Sequence, residues 1–287
     1  MAVWLPDWVQ TWLPRPWRRV AALPERLWQS TLRTHPFLHA LTDAEKTMLQ
    51  RLVAHFLHEK EFYGAHGLTI TDSMAIAIAA QACRPLLHLP GPGQTTVGLD
   101  RLDALNWYDD FVGIVVQPGA AVAQREITDA SGVVHHYREA LAGEAMQGGP
   151  VMLSWTEVQR APAAAAQGSN VVIHEFIHKM DMRGTRVGQP ADGAPDWSHG
   201  CLGSLSGEAA RTHWRETMSE AYQHFREALS MAERFGAERP WLDAYGATHP
   251  AEFFAVTCEA YFVNRAKFEQ EFPALLRLYD GFFKPVC

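Results

Sequence analysis

The stretch Asn170–Gly184, "NVVIHEFIHKMDMRG", holds two histidines four residues apart, with a glutamate directly after the first. On an α-helix, positions i and i+4 share a face, so His174 and His178 can offer two imidazole nitrogens to one ion. Glu175 is turned by about 100° from His174, beside such an ion, where its carboxylate can take a proton from a bound water. The pattern H-E-x-x-H acquires chemical meaning only in the right context: a helix carrying it, and a further ligand from elsewhere. A catalytic zinc uses three protein ligands and keeps one position for water, so a His, Glu or Asp downstream is required.

The chain has 287 residues, 47% of them hydrophobic and 20% charged, the balance of a globular protein able to bury a sizeable core. A net charge of -7 argues against a surface that coats nucleic acid. Cys83, Cys201, Cys258 and Cys287 are scattered without a C-x-x-C pair, which speaks against a disulfide framework or a cysteine zinc knot and points to a reducing cytoplasm. Near the N-terminus, Pro6, Asp7, Gln10, Pro14 and Arg15 interrupt the apolar residues, so this region fits neither a signal peptide nor a spanning helix. No other segment reaches membrane length, and the expectation is a soluble cytoplasmic protein.

Residues 1–40 read as a Trp/Pro-rich arm, with Trp4, Trp8 and Trp12 on one helical face and Trp17 and Trp28 following. Packing of these indoles on the main body is the plain reading; contact with a partner or a membrane surface is the alternative. Thr42 and Glu45 form a capping box that opens the helix "DAEKTMLQRLVAHFLHEKEFYGA". An Ala-rich helix follows, capped by Thr71 or Asp72 and ending before Pro85. "FVGIVVQPG" reads as a strand, "QREITDASGVVHHYREAL" as a hairpin about Ala130–Gly132, and Val151–Trp155 as a further strand. From Pro162 the composition becomes helical up to Met182, with Gly168 an interruption. The Gly- and Pro-rich residues 184–207 read as a mobile connection or rim. Helices then occupy the remainder, one of them starting at Pro250, a residue suited to a first turn.

The third ligand cannot come from the extended pattern H-E-x-x-H-x-x-G-x-x-H, because Asp181 and Gly184 stand at its glycine and third-histidine positions. Glu252 opens a strongly apolar helix and Glu259 lies seven residues on, near the same face. Carboxylates on a buried face need a partner, and a zinc ion with its histidines would be one. Glu208, His213, Glu216, Glu220 and His224 compete, but they fall on a helix with a broad polar face where solvation explains them. Asp181, three residues beyond His178, could receive a ring N–H or cap the helix end, and Glu259 could orient a histidine from the opposing helix.

"HEFIHKMD" followed by "YGATHPAEFFAV" resembles the Mlc titration factor A family, bacterial cytoplasmic zinc metallopeptidases with a gluzincin-like core. "GPVMLSWTEV" and "LTDAEKTMLQRLVAHFLHEKEF" also look like that family, extending the resemblance over roughly residues 25 to 285. The resemblance implies zinc bound by His174, His178 and Glu252, with Glu175 as general base and Tyr245 near the substrate carbonyl as an oxyanion donor. It implies an α+β fold: a zincin-like core of a small mixed sheet and the H-E-x-x-H helix, preceded by a helical region, in one domain over 41–287. A peptidase acting on peptides or proteins follows, with an aminopeptidase label resting on the resemblance alone. A regulatory role through a repressor resembling Mlc is the other expectation, either beside catalysis or with the zinc site only modulating the binding. A purely structural zinc site is disfavoured, since only three protein ligands are found and such a site has no need of Glu175.

Overall fold

The computed structural model describes residues 20–94, 101–119, 121–128, 134–141, 148–184, 191–195, 201–202 and 205–285. Of the Trp/Pro-rich stretch, residues 1–19 therefore lie outside the described residues, as do the hairpin tip and much of the Gly-rich connection. Helices α1 (Glu25–Thr34) and α2 (Pro36–His39) bury Trp28, Leu32, Phe37 and Leu38 in the common core. Helix α3 (Asp43–Glu59) starts at the expected capping box: the Thr42 hydroxyl accepts from Glu45 N at 3.2 Å, and Glu45 Oε2 accepts from Thr42 N at 2.8 Å.

The sequence extends this helix to Ala65, whereas the chain leaves it at Lys60 and forms strand β1 (Glu61–Gly64). Lys60 is pinned there, its ammonium donating to the carbonyls of Tyr108 and Phe111. This tertiary anchor turns the next residues into extended chain despite the helical pattern before them. Helix α4 (Asp72–Cys83) is capped by Thr71, whose hydroxyl accepts from Met74 N, and is buried on nearly every side, as its Ala-rich sequence permits.

Strands β1, β2 (Gly113–Gln117) and β5 (Val151–Ser154) form a sheet in the order β1-β2-β5, with every pair parallel. The expected mixed sheet is thus corrected: among the described residues, antiparallel pairing is confined to two separate ribbons. These are β3 (Ala121–Thr128) with β4 (Val134–Leu141), and β6 (Cys201–Leu202) with β7 (Leu205–Ser206). Long crossovers separate the three sheet strands in sequence, and parallel pairing requires such connections. In register, Ile114 faces Val151 and Val116 faces Leu153, four fully buried side chains on the core side of the sheet.

Strand β5 ends one residue earlier than the sequence indicates, because Ser154 caps helix α5 (Trp155–Ala164) by accepting from Glu157 N. Nor does one helix run from Pro162 to Met182. After the single turn Ala165–Gln167, Gly168 takes a left-handed φ of 79°, and a second helix, α6 (Val171–Gly184), begins. Its fully buried Val172, Ile173, Phe176, Ile177 and Met180 lie at the centre of the molecule, packed against β5, α4 and helix α8 (Pro250–Val263). Phe176 meets Phe56, Tyr108 and Phe111, with ring centroids 4.9–5.9 Å away, while Lys60 and Lys179 both stand over the Phe111 ring.

Helix α7 (Gly207–Phe235) buries one stripe, including Trp214, Met218, Tyr222 and Phe225. Helices α9 (Arg265–Glu271) and α10 (Pro273–Phe283) close the core, with Tyr279 stacked between Phe268 and Trp214. Of the residues read as a mobile connection or rim, 191–195 are fastened to the body. Asp181 accepts from Gly193 N and Ala194 N at 2.9–3.1 Å, and the Trp214 indole donates to Gly193 O at 2.8 Å. Burial pushes the Asp181 carboxyl up to about 7, against the pull of those backbone N–H groups.

Two outcomes are expected. A Cβ at position 168 would lie 2.9 Å from Trp241 in a backbone conformation that disfavours side chains. Gly168→Ala should therefore cost about 1–3 kcal/mol, seen as a lower midpoint in calorimetry. Asp181 keeps its proton to about pH 7 when folded, but only to about pH 4 when unfolded, so this group makes stability fall as pH rises between the two. Asp181→Asn keeps the carbonyl that accepts both N–H groups and removes this slope. Urea midpoints at about pH 4.5 and about pH 8 should differ less in the variant than in the parent chain; an equal difference in both would contradict the assignment.

Candidate metal centre

Helix α6 presents His174 and His178 on one face, and α8 brings Glu252 from its first turn against them. The N-terminus of α8 is fixed by Pro250 and by the His249 ring, whose Nδ1 accepts from Ala251 N. His174 Nε2 lies 3.1 Å from His178 Nε2 and 3.1 Å from Glu252 Oε2, and His178 Nε2 lies 3.2 Å from the same oxygen. Among the described residues these three form the group whose donor atoms lie close enough to share one ion.

Protons decide what this triangle means. His174 Nδ1 lies 2.7 Å from Glu259 Oε1, so it carries the ring hydrogen and donates it to the carboxylate. Glu252 Oε2 on the other side of the ring favours a second hydrogen on Nε2, and a metal ion at that point would take the hydrogen's place. His174 Nε2, His178 Nε2 and Glu252 Oε2 meet in a largely buried space and share a positive charge, either that hydrogen's or a metal ion's. An ion with metal–ligand distances of about 2.0–2.1 Å and tetrahedral geometry would hold its ligand atoms about 3.3 Å apart, close to the distances here. Two imidazoles and one carboxylate suit zinc or a neighbouring transition ion better than calcium or magnesium.

The surrounding charges respond accordingly. Burial alone would lower the His174 pKa, but Glu259 and Glu252 outweigh it and raise the value well above the usual range. Burial lowers His178. Glu252 is held far below the usual carboxylate range, its burial outweighed by the two histidines. Glu175 is fully buried, and neither of its side-chain oxygens has a hydrogen-bond partner among the described residues. Desolvation raises its pKa well above the ordinary value, the His174 charge acting in the opposite direction. A buried carboxyl without a partner is costly, and an acceptor or donor supplied at the adjacent centre would offset that cost.

Tyr245 sits on the short turn Ala244–Ala247, with its ring centroid 6.2 Å from that of His174 and 39% of its surface exposed. Glu259 reaches His174 as the sequence allowed, whereas the recorded bonds of Asp181 run to the 193–194 backbone and not to an imidazole. Glu208, His213, Glu216, Glu220 and His224 lie exposed on the polar face of α7, away from the cluster. Sequence reasoning passed over Asn170, which accepts from Ile173 N at 3.0 Å and so caps α6, and which donates through Nδ2 to Gln81. An Asn two residues after a glycine and just before an apolar helical run was the available signal.

Comparison with known proteins identifies a metallopeptidase family. Residues 9–284 match the family described as "Glucose-regulated metallo-peptidase M90". A protein of Cronobacter sakazakii named "Mlc titration factor A" is 30% identical over 270 residues, covering 93% of this chain and 90% of its own length. Proteins of the same name from Escherichia coli and Shigella flexneri are 31% identical over 263 residues, covering 92% of this chain and 86% of theirs. With a match that spans nearly the whole chain and a His-His-Glu cluster at its centre, the protein belongs to the glucose-regulated metallo-peptidase M90 family.

Proposed function

We propose that the chain is a zinc-dependent peptidase with a zincin-like core, in which β5, α6 and α8 frame the catalytic centre. The observation that carries this reading is the meeting of His174 Nε2, His178 Nε2 and Glu252 Oε2 beside the buried, unpartnered Glu175. These three residues would hold the ion, which when bound supplies a Lewis acid that lowers the pKa of a water and polarises a peptide carbonyl. Glu175 accepts the proton of the attacking water at a carboxylate oxygen and delivers it to the leaving amine. Its seclusion from solvent, which raises its proton affinity, suits both halves of that task. Glu259 keeps the His174 hydrogen on Nδ1, leaving Nε2 for the ion. The Tyr245 hydroxyl donates to the oxyanion that develops on the substrate carbonyl. Strand β5 is at one end of the three-stranded order, and an extended peptide adding to that edge would lie beside α6.

A regulatory role is supported by the name of the relatives, Mlc titration factor A. In this reading the protein also binds a transcriptional repressor resembling Mlc, in the cytoplasm. No helix among the described residues is long and apolar enough to cross a membrane. Repressor binding by a Glu175→Gln protein would separate this role from catalysis. An aminopeptidase would cleave peptides with free N-termini and spare the same peptides when acetylated.

Glu175→Gln should retain bound zinc, measured by elemental analysis, and lose peptide cleavage by a factor of about 10² to 10⁴; wild-type cleavage by this variant would refute the general base. Glu252→Ala and His178→Ala should lose both zinc and cleavage, and full zinc occupancy in Glu252→Ala would remove it from the ligand set. Tyr245→Phe should lower kcat by about 10²-fold with little change in KM. A rise in KM at constant kcat would assign Tyr245 to substrate binding alone.

A further inference from the structure

Asn170 is almost fully buried and employs every polar group it has. Its carbonyl accepts from His174 N at 3.0 Å, and its side-chain oxygen accepts from Ile173 N at 3.0 Å. Its backbone N–H donates to Glu259 Oε2, an oxygen that also accepts from the Ser169 hydroxyl at 3.2 Å. Its side-chain amide donates to Gln81 Oε1 at 2.8 Å, and Gln81, wholly buried on α4, is itself held by its donation to Ala77 O. Glu259 Oε1 closes the circuit by accepting from His174 Nδ1. The main chain and the ring of His174 are therefore both tied to residue 170, directly in one case and through Glu259 in the other.

We propose that Asn170, anchored on Gln81, is a positioning residue that sets the orientation of the His174 imidazole through Glu259. The inference rests on the metal-site reading above. Gly168 brings the chain to this point through its left-handed turn, and the Gln81 tether then fixes where the 170 N–H and the 169 hydroxyl stand. Those two donors occupy one oxygen of Glu259 and leave the other directed at His174. Without the tether, α6 can still begin, but the carboxylate that aims the ring loses its fixed reference. Asn170 is thus asked to do more than cap a helix, and the two tasks can be separated chemically.

Asn170→Ser separates them, because a serine hydroxyl still accepts from Ile173 N and caps the helix but cannot reach Gln81. The probe is cobalt(II), whose affinity is measured by chelator competition and whose visible absorption reports coordination geometry, alongside the thermal midpoint of the metal-free protein. Asn170→Ser is expected to keep a near-parental midpoint, to bind cobalt about 10-fold more weakly, and to show an altered absorption band. Gln81→Met, of similar volume, should weaken cobalt in the same way, and the double variant should add little to either single change. It also provides the test should Asn170→Ser fail to fold. Cobalt affinity within about twofold of the parent, with an unchanged band in the folded variants, would reduce Asn170 to a cap and overturn the proposal. If the parent chain and His178→Ala bound cobalt equally weakly, the metal-site reading itself would fall instead.

Discussion

Two imidazole nitrogens on α6 and a carboxylate oxygen on α8 meet in a largely buried space, held together by a positive charge among them, a proton's or a metal ion's. Much of the surrounding structure serves that constraint. Helix α6 is placed by an apolar stripe and by the aromatic group around Phe176, so its polar face is left to meet α8. Helix α8 is apolar on almost every side, which leaves Glu252 and Glu259 as its carboxylates directed to His174. The two helices pack closely against each other, and the charges meet where that packing brings them.

The fixed surroundings reach outward in successive layers. Glu259 holds one imidazole, Asn170 and Ser169 hold Glu259, and Gln81 holds Asn170. On the other flank, Asp181 fastens residues 193 and 194, where Gly193 approaches Pro250 O so closely that a Cβ would lie 2.8 Å from it. Helix α8 is therefore gripped near its start by a loop that α6 controls. Precision at a reacting centre requires such support, since a displacement of about 1 Å can cost about 10²-fold in rate.

Features set by neighbours in sequence were legible before the structure: the i, i+4 histidines, the Thr42 capping box, the polar face of α7, and the opening of α8 at Pro250. Glu259 was suggested because a carboxylate in an apolar helix needs a reason to be there. What escaped depended on partners distant in the chain. Residues 61–64 carry no signal strong enough to end α3, and they become a strand only because Lys60 and the β2 backbone receive them. The parallel sheet could not be inferred from strand patterns, since the direction of pairing follows from crossovers that leave no periodicity. Gly168 hinted at an interruption, but the new helix start at Asn170 gains its meaning from Gln81 and Glu259, each 89 residues away.

The separation of the donor atoms along the chain has a consequence for synthesis. His178 and Glu252 are 74 residues apart, with the whole of α7 between them. A ribosome that has released α6 has released two of the three atoms and nothing that can complete the set. Completion waits for α8 to emerge and to pack against α6. A chain stalled or clipped before that point lacks the third donor, so the proposed hydrolytic power would appear only in molecules whose assembly is finished. The newborn chain and its neighbours on the polysome would be spared its action by the order in which its residues are made.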